Sequence, residues 1–464
     1  MMMADVRASS SFPTARIGLV LAVACYVGIY NLAYRDLIAP VFAFWGLGYG
    51  PLAAEYFWTS VVLCIVPALW MPVQFTRPSL FLFYVQYFLI YIPGSFIVYQ
   101  STLPKLPVHE ALILQLTMFA GLSIIQLTYL VRVPALRAFR VSSEMLCFAI
   151  GAGGLLMFGF LAITLRGNFQ IASFTEVYDL RAAMVETLKS TGTRFGFYAQ
   201  VWIEAFILPL VFAVAFWKRR WWVFLPVALG YIFLFGVGGA KAAILSVATL
   251  PMSYLLLSRA KGRIVFYLIA ALSVMLLLGY ASKALLPFKM HVQYIAVAHF
   301  RFLTVPPLTL PQYFEFFSSH AVTHLSHVTG LSWLLPYHFE QDIPYTVGSY
   351  FYKGAVGLNS GPWAGDGLAG FGLLGIPLIS LLCAAVFWIV DATAAELDPR
   401  FAGLALSTVA ALFGNDPLFT TMVTGGLGLM MITFLVAPPD RDGSFRMPRE
   451  HRWRGSRVVS TDLS

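Results

Sequence analysis

The residues best placed to do chemistry in this sequence are a few charges set beside Gly, Tyr and Asn in an otherwise apolar chain. Asp366 is a lone carboxylate among small residues in LNSGPWAGDGLAGFGLLG. Arg181 closes VYDLR, Lys241 sits in GVGGAKAAILS, and Arg301 lies in HFRFLTVPPL. A single cation near a membrane boundary is often an anchor that runs its charge out to water. Lys241 suits that role least, because its turn is tight and Gly236, Gly238 and Gly239 let another group come close to the backbone. A glycine turn that opens a helix also presents N–H groups and a positive dipole end to an anion. Three cations and such a turn could hold a pyrophosphate, each charged hydrogen bond contributing about 1.5–3 kcal/mol.

Other polar residues admit two readings. PYHFEQDIPYTVGSYFYKGAVGLNSGPWAGDG is dense in aromatic, Gly and amide groups. Tyr345, Tyr350, Asn359 and Trp363 would suit sugar rings, which offer an apolar face ringed by hydroxyls; the same composition also suits a packed interfacial cap. His320, His324 and His327 follow i, i+4, i+7, which predicts one stripe of a helix. Zinc is one reading of that stripe. The polar edge of an amphipathic helix on the membrane surface is the other, with Phe317, Val322 and Leu325 turned inward. No carboxylate lies on the stripe, so no metal is expected. Glu204 falls inside an apolar run, where an acid usually faces a cavity or a partner. Asp366 itself could cap the helix that follows it, worth about 0.5–2 kcal/mol.

The elements that must position these residues are membrane spans. Of 464 residues, 59% are hydrophobic and 11% charged, against about 25% charged in a soluble domain. The expectation is an all-α polytopic membrane protein. About 12 transmembrane helices are predicted, near 17–34, 56–73, 78–98, 110–131, 144–165, 196–217, 221–238, 242–258, 264–282, 368–390, 402–414 and 418–437. The stretch 37–55, broken by Gly and Pro, is expected to dip into the outer face without crossing. Residues 1–282 then hold helices 1–9, with an external loop over 166–195. Residues 283–367 form a long external loop with short helices, 368–437 hold helices 10–12, and 438–464 form a basic cytoplasmic tail. With both termini inside, 19 of the 30 Lys and Arg fall on the cytoplasmic side. The net charge of +9 is thus read as the positive-inside rule and not as nucleic-acid binding. The four cysteines all lie in apolar runs, which leaves no loop disulfide and no cysteine metal site.

Taken in order, these stretches resemble bacterial Wzy-type O-antigen and oligosaccharide repeat-unit polymerases. The resemblance covers roughly 175–390: VYDLR before a span, the GGAKAAILS turn, FRFLTVP with YFEFFSS, then YTVGSYF and LNSGPWAGDGLAGFGLLG leading into a helix. Asn359, Gly361, Asp366 and Phe371-Gly372 look like the family's closing motif, while Ala240 and Ala242 stand where members often carry Ser. The resemblance implies a bacterial plasma-membrane glycosyltransferase related to the GT-C and O-antigen ligase architectures. Its partners would be undecaprenyl-diphosphate-linked oligosaccharides and membrane lipid, with a chain-length regulator as a candidate protein partner. No cofactor is implied, since the lipid diphosphate is itself the activated leaving group. Arg181, Lys241 and Arg301 would bind that diphosphate. Arg301 and Asp366 would be catalytic, Asp366 accepting or orienting the acceptor hydroxyl, with inversion at the anomeric carbon. Rival readings are an O-antigen ligase, a flippase of the same lipid, and an enzyme using monophosphate donors. The last usually shows acidic pairs in the first external loop, where AYRDLIAP offers only Asp36.

Overall fold

The computed structural model describes residues 12–136, 139–170, 177–192, 195–260, 262–328, 331–353, 357–359 and 361–438. Among these residues every regular element is helical, and Leu47 and Ser101 form one isolated bridge. Nine helices are long and apolar enough to cross a membrane: Thr14–Ile38, Ser79–Gln100, Val108–Leu130, Ser143–Thr164, Phe195–Trp217, Trp221–Gly238, Lys241–Arg259, Ile264–Leu285 and Gly365–Thr393. Each corresponds to a span expected from hydropathy. The second expected span is the shorter helix Ala54–Leu69. The basic tail expected over 438–464 lies outside the described residues except for its first position.

The last two expected spans differ most. Over 402–437 the chain forms short pieces, Pro399–Ala405, Ser407–Phe413, Leu418–Val423 and Leu427–Val436. The breaks follow from residue type. Asn415-Asp416-Pro417 interrupts the second and third pieces, since Pro417 has no N–H to donate and disfavours helix in the residue before it. Gly426 adopts φ 79° between the third and fourth, a conformation side chains rarely tolerate. Broken backbone of this kind persists in apolar surroundings only when it is buried in protein or lines a cavity.

Four π-helical segments occur among the described residues, Tyr34–Ile38, Gln86–Tyr91, Ile203–Ile207 and Ile295–Thr304. The third carries Glu204 and the fourth Arg301. Such wide turns are rare and are frequent at functional sites.

Both ends of the Gly365–Thr393 span carry a carboxylate that serves another helix. At one end Asp391 accepts the Ser79 N–H at 3.0 Å and the Ser79 hydroxyl at 2.8 Å. At the other, Asp366 accepts the Phe419 N–H at 3.2 Å, in the first turn of Leu418–Val423. The span itself kinks after Phe371, where Gly372 takes φ 61° and ψ −145°. A Cβ on Gly375 would run into the carbonyl of Gly367.

Candidate functional site

The glycine turn before Lys241 is closed on the protein's own chain. A Cβ on Gly239, whose φ is 61°, would lie 2.7 Å from the Val177 carbonyl. One on Gly238 would lie 2.6 Å from Gln200 Nε2, and one on Gly236 would meet the Phe169 ring at 2.5 Å. The close approach expected for a phosphate is therefore taken by Phe169, Gln200 and the start of helix Val177–Ser190. Val177 and Leu180 pack with Phe235 as a small apolar cluster, joined by partly buried Ile244. This seats VYDLR on the turn and carries exposed Arg181 one residue past Leu180. Lys241, the first residue of the following helix, is half-buried.

Arg301 is presented by a π-helix whose other residues are fixed inside. Buried His299 sets its Nε2 3.0 Å from the Met275 carbonyl, its ring filling the space left by Gly279. Phe300 stacks on Phe42 at 4.0 Å. These contacts hold the segment and leave Arg301 exposed.

Both polar members of the closing motif grip one loop. Asn359 Nδ2 donates to Asn415 Oδ1 at 2.9 Å, and the Tyr313 hydroxyl donates to the Asn359 carbonyl at 3.4 Å. Asp366 is 3% exposed, and both its oxygens are engaged: Oδ2 by the Phe419 N–H, Oδ1 by His327 Nε2 at 3.1 Å. The His327 Nδ1 lies 2.6 Å from the Thr323 hydroxyl, and Thr323 N–H donates to the Ala369 carbonyl at 2.8 Å. Asp366 does cap a helix, as one reading of the sequence held, but the capped helix is Leu418–Val423 and not its own.

The loop so held contains Asp416, which the sequence reading passed over. Asp416 is partly buried between Ser407–Phe413 and Leu418–Val423. Burial pushes its carboxyl up to about 6, against the opposing pull of Arg301 and Arg181. Glu204 bears on the same charges. That side chain is buried, within electrostatic reach of Arg181 and Asp416, and its Oε1 meets no hydrogen-bond partner among the described residues. Thus Arg181 and Arg301, from two separate segments, bear on one carboxylate in a broken stretch of backbone. The signal in the sequence was GNDPLF, two polar residues and a proline between short apolar runs. It fell in the gap between the eleventh and twelfth expected spans.

Two expectations are corrected. The histidine stripe does not form, because helix Val305–Ser319 ends before it and His320 is already extended, with φ −123° and ψ 159°. His324 and Leu325 have φ of 50° and 67°, so the chain turns there and the three rings part. His320 stacks on Phe316 at 4.0 Å, His324 meets Phe371, and His327 alone reaches Asp366. Among the described residues no group of three or more His, Cys, Asp or Glu is arranged to hold a metal. The second correction is Trp363, which is fully buried with its indole N–H on Ser380 Oγ at 3.0 Å. A ring with both faces packed has none left for a sugar, so Trp363 belongs to the core. Tyr345 and Tyr350 are 48% and 50% exposed on helix Ile343–Phe351 and keep free ring surface.

The chemistry this arrangement can support is anion binding by guanidinium groups beside a carboxylate able to take a proton, with exposed tyrosines on a neighbouring helix. No protein-family model, no curated protein and no solved structure matches this chain.

Proposed function

We propose that this chain is a polytopic glycosyltransferase of the bacterial plasma membrane that joins undecaprenyl-diphosphate-linked oligosaccharide repeat units on the outer face. In this reading the nine long helices, Ala54–Leu69 and the broken pieces over 399–436 make up about twelve crossings of a GT-C or O-antigen-ligase-like architecture. Both termini are cytoplasmic, as the distribution of Lys and Arg favours. The observation that carries the reading is the joint action of Arg181 and Arg301 on Asp416. Two guanidinium groups within electrostatic reach of one carboxylate are suited to hold a diphosphate, which guanidinium groups bind with paired N–H donors. Lys241, at the start of its helix, is the third cation of the proposed diphosphate site.

Glycosyl transfer from such a donor needs little beyond this. The departing diphosphate gains negative charge as the sugar leaves, and preorganised cations in a water-poor site stabilise that charge more than water would. Tyr345 and Tyr350 would meet the sugars, and the apolar walls the polyprenyl tail. The test is the glycan profile of a deletion strain. A polymerase predicts that long chains vanish while single repeat units still reach the surface. Lipid-linked polymer accumulating outside marks a ligase, and single lipid-linked units trapped inside mark a transporter; either outcome refutes the proposal.

A further inference from the structure

We infer that Asp416 is the catalytic base of the proposed transfer, and that Asn359 and Asp366 are positioning residues that hold its loop in place. The inference rests on the glycosyltransferase reading above. Asp366 is 3% exposed and each of its oxygens already holds a protein donor, so an incoming hydroxyl would have to enter a closed site to reach it. Asp416 is partly exposed on the same loop and lies where Arg301 and Arg181 bear.

The loop is gripped on both sides of that residue. Asn359 holds Asn415, the residue before, and Asp366 holds the N–H of Phe419, three residues after. Pro417 between them fixes one backbone dihedral. His327 in turn fixes Asp366, and Thr323 fixes His327. A base must be held near hydrogen-bond distance of the proton it takes, and these contacts add to the turn's own bonds from the Asn415 and Asp416 N–H groups to the Leu412 carbonyl, both 2.8 Å.

The acceptor hydroxyl gives its proton to an Asp416 oxygen as its own oxygen bonds the anomeric carbon. The bond from that carbon to the diphosphate breaks on the opposite face, and the electron pair leaves on the diphosphate oxygen beside Arg181 and Arg301. Before the donor arrives, the charge of both arginines acts on Asp416. Once the diphosphate shares their charge, the carboxylate holds a proton more readily, so the base strengthens when the donor is in place.

The experiment uses the full chain in nanodiscs, with lipid-linked oligosaccharide extracted from the deletion strain as substrate and undecaprenyl diphosphate as the binding probe. Asp416→Asn should bind the probe at least as tightly as wild type, while kcat falls by about 10²–10⁴-fold, the usual contribution of a general base. Arg181→Gln and Arg301→Gln should instead lose probe binding. Asp416→Asn that keeps more than a tenth of wild-type kcat, with the arginine variants still losing the probe, overturns the base and leaves the glycosyltransferase reading standing. Arginine variants that bind the probe like wild type overturn the diphosphate site itself. If Asp416→Asn unfolds, the pH dependence of wild-type kcat decides in its place. A single-proton loss on the acid side that shifts in Asp416→Glu supports the base, and a profile unmoved by that change overturns it.

Discussion

Replacing Asp366 separates holding a loop from taking a proton. Asp366→Ala strands two groups at once, the Phe419 N–H at 3.2 Å and His327 Nε2 at 3.1 Å. Each partner left without its acceptor costs about 1–3 kcal/mol, so the alanine variant loses about 2–6 kcal/mol. The site is 3% exposed, so water does little to soften that cost. Asp366→Asn keeps one carbonyl oxygen for one of the two donors and loses about 1–3 kcal/mol. Unfolding entropy of about 2.1 cal/mol/K per residue gives a chain of this size about 1 °C per kcal/mol. Thermal unfolding in detergent should therefore fall by about 2–6 °C for alanine and about 1–3 °C for asparagine. Turnover measured on the same preparations should stay within about tenfold of wild type for asparagine, because Asp416 keeps its carboxylate and most of its clamp. An asparagine variant that melts like wild type yet loses more than a thousandfold in kcat refutes this reasoning and makes Asp366 the proton acceptor.

Three further outcomes are expected. Burial holds the Asp416 carboxyl above its ordinary range, so its proton-accepting form is lost as pH falls through about 6, and kcat/KM, which reports the free enzyme, should drop about tenfold per pH unit below that point. The groups that bear on it are Arg301, Arg181, Glu204 and Tyr313, and Arg181→Gln should move the inflection upward by removing one cation that favours the charged form. Gly239→Ala places a Cβ 2.7 Å from the Val177 carbonyl and forces helix Val177–Ser190 off its seat; donor affinity should fall as it does for Arg181→Gln, and wild-type affinity would count against the seating. Trp363→Phe removes the donor from Ser380 Oγ and should cost about 1–3 kcal/mol in thermal unfolding without changing which repeat unit is used. A change in sugar preference would return Trp363 to the substrate site.

What the sequence determined by itself was the part set by local composition. Runs of about 20 apolar residues can satisfy their backbone polar groups only as helices in an apolar medium, so the nine helices long and apolar enough to cross a membrane among the described residues were legible from hydropathy alone. Charge beside glycine also drew attention to Arg181, Lys241, Arg301 and Asp366. What only the tertiary structure decided was partnership, which depends on distance in space and leaves no periodicity along the chain. The glycines before Lys241 gave room, but nothing local said that Val177 would fill it. The spacing of three histidines suited a helix, yet the helix ended one residue too soon and only His327 found a carboxylate, 39 residues away. Trp363 read as a sugar platform until its faces were packed. Asp366 drew attention because it is alone, and Asp416 escaped it because it sits in a short gap between two apolar runs. The fold joins them: a carboxylate at the mouth of one span caps the helix that follows the loop of the other, a contact 53 residues apart that no window along the sequence contains.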